Sequence, residues 1–449
     1  MSINVMHSHP LSGNLVTLIL LFAFIQAPPA NAEEDESLSL NLVLKMAVQN
    51  NLTLRQQELM VQQASAEKSV QQSGYYPSLS ASALSTWVFF NKPPVTIPGD
   101  NDRVSINIFS LGIEQPIFRG FRTVNGVNMA ESRVTVQKMI RQSMQDQLLL
   151  QAGLLYYDLQ LNLLSQDVIR QSMLRTRNQL EKTRNLLEAD QVTWFDTLEV
   201  ANRQLELTTT LSEIEGTFAI LSDKLAHLLN VSALPAVTLL PVEPPVQQTE
   251  SLANLKQSAL MNRPELAAIR AKRNLQHFQI EMNKAAFYPV VSASGGYNYG
   301  LMDGFFFTGE WVDFYNIMIN FQWELWDWNR DKNKVQKSKL EYQRLDLEEQ
   351  QLLLDVASEI KEVYEHREIN AKQIELHYQL CKQEKDRYEI SNERYQQGLS
   401  TALDLSSAEH SLTSAELQLQ KAYIDWYKNN LRLLHATGQI GHLIQEVDR

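Results

Sequence analysis

Few residues in this 449-residue chain have the types and spacing that bond-making chemistry needs. His366 and His377 lie 11 residues apart, about three helical turns, so a helix would return them to one face. A metal centre needs further ligands, and the neighbours are glutamates of a solvated helix surface. The adjacent acids Glu348-Glu349 read as the same kind of surface. There is no phosphate-binding glycine loop, no G-x-S-x-G and no H-E-x-x-H. The single cysteine, Cys381, sits deep in a helical pattern and has no partner for a disulfide. An enzyme reading has nothing to attach to. The acids that do stand out are Asp196 and Asp404, each three residues after a threonine, Thr193 and Thr401. That spacing suits a helix start, where a hydroxyl caps free N–H groups and a carboxylate opposes the helix dipole.

The elements that position these residues come in two copies. Ala47-x-x-Asn50-x-x-x-Leu54 and Tyr76-Pro77-x-x-Ser80-Ala81-Ser82 return, each shifted by 212, as Ala259-x-x-Asn262-x-x-x-Leu266 and Tyr288-Pro289-x-x-Ser292-Ala293-Ser294. Each copy predicts a helix of about 35 residues (37–72; 249–284) and two alternating segments (75–90 and 103–118; 287–301 and 311–326). A very long helix (122–187; 330–396) and a further helix (193–230; 401–437) follow. The long stretches hold no Pro and are rich in Gln, Leu, Glu, Lys, Arg and Ala; Leu148, Leu155, Leu159 and Leu163 recur at helical spacing, as in coiled-coil-like packing. A 66-residue helix reaches roughly 100 Å, so it can lie antiparallel to the two shorter helices stacked in line.

The organisation follows: 1–32 an export signal, 33–234 and 251–440 the two repeats, 235–250 a Pro-rich linker, and 441–449 a tail. The signal is read from the apolar run Leu15 to Ile25, too short to span a bilayer, and the cleavage-type Ala30-Asn31-Ala32. The net charge of −12 argues against nucleic acid as a partner.

The segments between helices alternate with period two. Tyr315, Ile317, Ile319, Phe321 and Trp323 face one way, and Asn316, Met318, Asn320 and Gln322 the other. One apolar and one polar face is the pattern of a transmembrane β-barrel. In the second segment Ile106 and Ile108 fall out of phase with Phe109, Leu111 and Ile113, which predicts a bulge. Asn91 to Asp100 and Met302-Asp303-Gly304 read as hairpin loops. Trp311, Trp323 and Trp326 are placed for a membrane-interface belt. Four strands cannot close a barrel, and lipid does not tolerate open sheet edges, so such a chain must oligomerise; three copies supply twelve strands.

The break before the last helix reads Arg394-Tyr395-Gln396-Gln397-Gly398-Leu399-Ser400-Thr401-Ala402-Leu403-Asp404, and the first copy has Asp190 to Asp196 at the corresponding place. This pattern resembles the helical tip of the TolC-like outer-membrane efflux proteins, as do the Tyr-Pro strand starts, Gln115-Pro116-Ile117-Phe118 and Glu324-Leu325-Trp326-Asp327. The resemblance covers about 37 to 440. It implies an α+β membrane protein: a homotrimer with a twelve-stranded β-barrel in outer-membrane lipid and an α-helical barrel in the periplasm. The tips would meet a periplasmic membrane-fusion adaptor and an inner-membrane RND or ABC transporter, for drug, metal or type I protein export. The conduit would be passive and need no cofactor.

Carried over by position, Asp404, Asp196 and Tyr395 would belong to the periplasmic gate and pore. Arg394, Gly398, Thr401, Asp190 and Thr193 would form the tip that contacts the adaptor. Two departures stand out: Ser407 where many members have a second acid, and Ser400 where some have a basic residue. Asp190 in place of glycine implies a first tip that differs in turn geometry or in adaptor contact. The alternative function is a periplasmic adaptor or a structural coiled-coil protein.

Overall fold

The computed structural model describes residues 38–89, 103–235, 250–304 and 307–445. The export signal, most of the Pro-rich linker, the loop around Asn91 to Asp100 and the last four residues lie outside the described residues.

Each copy begins with two helices rather than one. α1 (Leu40–Asn50) and α2 (Leu52–Ser73) meet at Asn51, whose φ of −68° and ψ of 120° leave the helical region. Its side chain accepts from the Leu54 amide at 3.0 Å and so starts the next helix while the last one ends. The second copy makes the same joint at Arg263, φ −67° and ψ 119°, between α5 (Leu252–Asn262) and α6 (Pro264–Lys284). There Pro264 imposes it, because a residue before proline avoids the helical region. The single 35-residue helix expected from sequence is thus split in both copies, and Arg263-Pro264 was the signal.

The strands are β1 (Ser78–Phe89), β2 (Arg103–Arg119), β3 (Val290–Gly304) and β4 (Phe307–Gln322), forming one antiparallel sheet in the order β1-β2-β3-β4. Met302-Asp303-Gly304, expected as a loop, continues β3. Trp323 and Trp326, expected within the last strand, lie just beyond it. No bulge separates Ile108 from Phe109; the β1·β2 register runs unbroken from Phe89↔Arg103 to Ser78↔Glu114. The irregularity falls instead between Pro116 and Phe118, where proline has no N–H for the ladder.

Both strand-to-helix turns use two successive left-handed residues, Gly120-Phe121 and Trp328-Asn329. At Gly120 a side chain would meet the Ala285 carbonyl at 2.6 Å, so only glycine fits this reversal. From these turns run α3 (Arg122–Glu188) and α7 (Arg330–Gln396), 67 residues each and so roughly 100 Å long. α4 (Trp194–Leu229) and α8 (Ala402–Ala436) return from the far ends. α3 packs against α2 and α6 near the sheet and against α4 and α8 towards the tip, which joins the halves along their length.

The densest core lies midway, where Leu44 and Ala47 of α1 meet Leu149, Ala152, Tyr156 and Leu159 of α3 and Leu225 and Leu229 of α4. The C-terminal segment closes it. Gly438, at φ 70°, passes so close to the Asn262 carbonyl carbon that a Cβ would sit 2.7 Å away. Ile440 is fully buried, and the short α9 (His442–Gln445), assigned to the tail from sequence, packs Leu443 and Ile444 on the same core.

Beside this core Asp146 is 3% exposed. Burial pushes its carboxyl up to about 6, against a hydrogen bond from Gln142 and with help from the nearby Glu265 charge. A carboxyl whose pKa is raised by folding favours the native state in its neutral form, so that contribution is lost as pH rises from about 4 through about 6. Two pKa units correspond to about 3 kcal/mol. Asp146→Asn should therefore raise the thermal midpoint at pH 8 and leave it unchanged at pH 4; an equal change at both would contradict this origin.

Candidate functional site

The two helical tips are built on one plan. α3 ends with Asp190 at φ 56° and α7 with Gly398 at φ 73°. In each, the following residue's amide donates back five positions, Gln191 to the Leu186 carbonyl and Leu399 to the Arg394 carbonyl, both at 2.9 Å. This is the Schellman closure, in which glycine is preferred and an aspartate is tolerated at some cost. Asp190 therefore keeps the turn geometry of the second tip, and of the two differences expected there the turn is not one.

Thr193 and Thr401 then cap α4 and α8 in full capping boxes. Asp196 accepts from the Thr193 amide at 2.8 Å and hydroxyl at 2.7 Å. Asp404 accepts from the Thr401 amide at 3.1 Å, its hydroxyl at 2.7 Å and the Ser400 hydroxyl at 3.3 Å. The Thr401 and Ser400 donors hold the Asp404 carboxyl below its usual range, so it stays charged at neutral pH. Asp404 is exposed, as are Arg394 and Gly398. Tyr395 is not: it is 2% exposed, its hydroxyl 2.7 Å from that of Thr183, and it packs with Val200, Ala402 and Leu405. Of the gate candidates, it is the one that fastens α7 to α3 within the chain. Trp194, Phe195, Leu399 and Leu403 stand exposed around the two turns, an apolar rim that the turn motif did not announce.

Behind the tips lies a charge cluster that sequence reasoning missed. Glu409 of α8 is fully buried. It pairs with Arg175 of α3 and Arg203 of α4, both at 3.3 Å, and accepts from Ser172 at 2.5 Å and Thr413 at 2.7 Å. Arg175 also reaches Glu416 at 2.9 Å and lies 5.9 Å from the Tyr388 ring of α7. Three helices from both repeats thus converge on one carboxylate, and α7 joins them through Arg175. An isolated glutamate in a helical sequence gives no sign of this; only the facing arginines do. Glu349, expected to be solvated, is likewise buried and paired with Arg270 and Arg273 of α6. Its neighbour Glu348 stays on the surface with Arg344.

The sheet has two chemically distinct faces. Leu111, Tyr297 and Tyr315 are successive cross-strand partners on one, together with Ile317, Ile319 and Phe321. Ile317 is 90% exposed. On the other face Ser110 donates to Asn298 at 2.7 Å, and Asn298 to Asn316 at 3.0 Å. On the apolar face Trp311 stacks on Tyr299 with ring centres 5.0 Å apart, near the hairpin end. Trp323 lies at the helix end and donates to the Phe287 carbonyl at 3.2 Å. Trp326 contacts Trp328 beside it. Trp311 and Trp323 are twelve residues apart. That is roughly 40 Å along an extended chain and roughly 28 Å across a bilayer at about 45° tilt, close to the ~25 Å apolar band of outer-membrane barrels. Among the described residues no helix is long and apolar enough to cross a membrane.

The sequence matches the outer membrane efflux protein family over residues 43–230 and 255–439. The chain belongs to that family. Its members are non-enzymatic channels, and the assignment places this protein in the outer membrane as an efflux duct, with its helical part in the periplasm. It rules in favour of the conduit over the adaptor reading. The outer membrane protein VceC from Vibrio cholerae has the same fold, with TM-score 0.76 and 18% identity over 89% of this chain and 96% of that one. The CmeC channel from Campylobacter jejuni gives TM-score 0.76 and 16% identity, over 91% and 88%. The open-state MtrE channel from Neisseria gonorrhoeae gives 0.75 and 18%, over 89% and 88%. No curated relative matches the sequence.

Removing one partner of a buried ion pair leaves uncompensated charge, at a cost of about 3–5 kcal/mol. Glu409→Ala should strip Arg175 and Arg203 of their common partner and expose the tip halves of α3 and α8 to hydrogen exchange, with the sheet unaffected. Exchange rates equal to wild type at the tip would show that the cluster contributes nothing.

Proposed function

We propose that three copies of this efflux protein close into one tube and act as the passive outer-membrane exit of a tripartite export system. The observation that carries this reading is a repeat with bare flanks. β1 and β4 each pair on one side only. The β1·β2 and β3·β4 registers are identical once the repeat offsets of 212 and 208 are applied: Ser78 faces Glu114 as Val290 faces Gln322. The remaining junction within the chain, β2·β3, sets Ser110 against Asn298. Carried through the same offsets, it sets Met318 against Thr86 of a neighbouring copy. The helices give the same arrangement. α3 lies between α2 and α6, whereas its counterpart α7 has only α6 beside it in this region. The uncovered flanks carry Leu340, Leu347 and Leu354 at heptad spacing on α7, and Leu52, Leu59 and Met60 on α2, all more than half exposed.

In this reading each repeat, 33–234 and 251–440, supplies one sixth of the tube. Exposed Asp404, repeated in each copy, places charge at the periplasmic mouth with Asp196 beside it. Tyr395 acts through Thr183 by fixing the α7 end. The apolar rim of Trp194, Phe195, Leu399 and Leu403, together with the turns at Asp190 and Gly398, Arg394 and the caps Thr193 and Thr401, meets the periplasmic adaptor. An inner-membrane RND or ABC transporter supplies the energy, and the cargo is a drug, a metal ion or, in a type I secretion system, a protein. The interface belt consists of Trp311 at one rim, with Trp323 and Trp326 at the other.

Detergent-extracted protein should run as a heat-modifiable trimer and give conductance steps in planar bilayers; a monomer without conductance would contradict the assembly. Asp404→Asn should lower cation selectivity and weaken block by divalent cations added on the periplasmic side. Conductance and block identical to wild type would leave Asp404 as a helix cap alone.

A further inference from the structure

The two repeats differ sharply at the junction between sheet and helices. The first ten residues of α7, Arg330 to Lys339, hold five Lys or Arg and one acid. The corresponding ten of α3 hold one basic residue, Arg122, and one acid, Glu131. Arg330 and Lys334 are committed locally, to Glu324 at 2.7 Å and Asp331 at 2.7 Å. Lys332 and Lys339 make no ion pair among the described residues. They are seven positions apart, two turns along one helix face, and both line a cleft of ≈ 560 Å³ between α6 and α7. Lys284, from the last turn of α6, lines it from the other side, held by Glu281 at 2.6 Å. Phe287 and Tyr288 form its apolar wall, each about half exposed.

The position of this cleft gives it meaning. The Phe287 carbonyl at its wall receives the Trp323 indole N–H. Trp323 follows Phe321, where the lipid-facing stripe of β4 ends. Three lysines and two aromatic rings therefore sit where acyl chains give way to headgroups on the periplasmic side. Long lysine side chains there keep their charge among phosphates while their stems cover apolar surface. The fold does not require these cations. The equivalent positions of the first repeat are Gln72, Val124 and Glu131, at the same helix pair with none of the positive charge.

We propose that the cleft between α6 and α7 binds the phosphate headgroup of an anionic phospholipid through Lys284, Lys332 and Lys339. The second repeat thereby anchors each chain to the inner leaflet of the outer membrane, while the first repeat does not. This rests on the sheet lying in that membrane and is independent of the trimer, adaptor and pump.

The test uses the full chain in mild detergent, with its thermal midpoint and lipid co-purification read against added phosphatidylglycerol, phosphatidylcholine or inorganic phosphate. Phosphatidylglycerol should be retained with about tenfold or greater preference over phosphatidylcholine and should raise the midpoint, while inorganic phosphate does neither. The variant K284Q/K332V/K339E, which copies the first repeat into the second, should lose that preference and keep the fold. Should it not fold, K332Q/K339Q removes charge alone and should lower the preference in the same direction. Retention of the wild-type preference by the folded variant would overturn the proposal, as would a midpoint shift with inorganic phosphate equal to that with lipid.

Discussion

Backbone N–H and C=O groups in a bilayer core have no water to bond, and every other feature of this chain answers to that fact. A sheet of four strands with an apolar face has two rows of such groups along β1 and β4. Within one chain they have no partner. The duplication ensures that the two bare edges are of matching kind, because β4 is a copy of β2, and β1 a copy of β3. A strand pair that already exists inside the chain thus serves as the template for the proposed one between chains. The same holds below the membrane, where α7 lacks on one flank what α3 has on both.

The helical column carries a different constraint, the separation of its charges from its function. At mid-height the core is apolar and closed by the C-terminal segment at Gly438 and Ile440. Towards the tip the buried row of α3 becomes polar, with Ser172, Thr176, Gln179 and Thr183 inward. Helices held by hydroxyls and one shared carboxylate, rather than by interlocking leucines, can exchange partners at lower cost. The tip turns themselves are fixed by caps, so movement would fall on the helix pairs behind them, at Thr183–Tyr395 and around Glu409.

Much of the architecture was legible in the sequence because it is periodic. Helix lengths, strand alternation and the repeat are patterns summed over many residues, and errors at single positions cancel. What was not legible depends on single contacts. Asn51 splits a helix by capping, and no composition window resolves one residue. Ile106 and Ile108 broke the alternation without a bulge, because the face they occupy becomes apolar near the hairpin end, with Leu84 opposite Ile108. Glu349 read as solvated, and Glu409 drew no reading, because nothing in their neighbourhood names the arginines that face them from other helices. At the tip, the spacing of Thr401 to Asp404 revealed the capping box. It could not reveal that Tyr395, six residues before the threonine, is buried against Thr183 and Val200.

The central claim is that a junction already present inside the chain recurs between copies in one register. Cysteine cross-linking tests it most directly, in a Cys381→Ser background. With Thr86→Cys and Met318→Cys in one chain, the pair sits at the sites equivalent to Ser110 and Asn298, whose side chains touch at 2.7 Å. Oxidation in membranes should give covalent dimers and trimers in high yield. Shifting one cysteine by two residues, to Asn316 or Asn320, should reduce the yield several-fold. Equal cross-linking at all registers, or none with the protein monomeric, would contradict a tube closed by the repeat's own geometry.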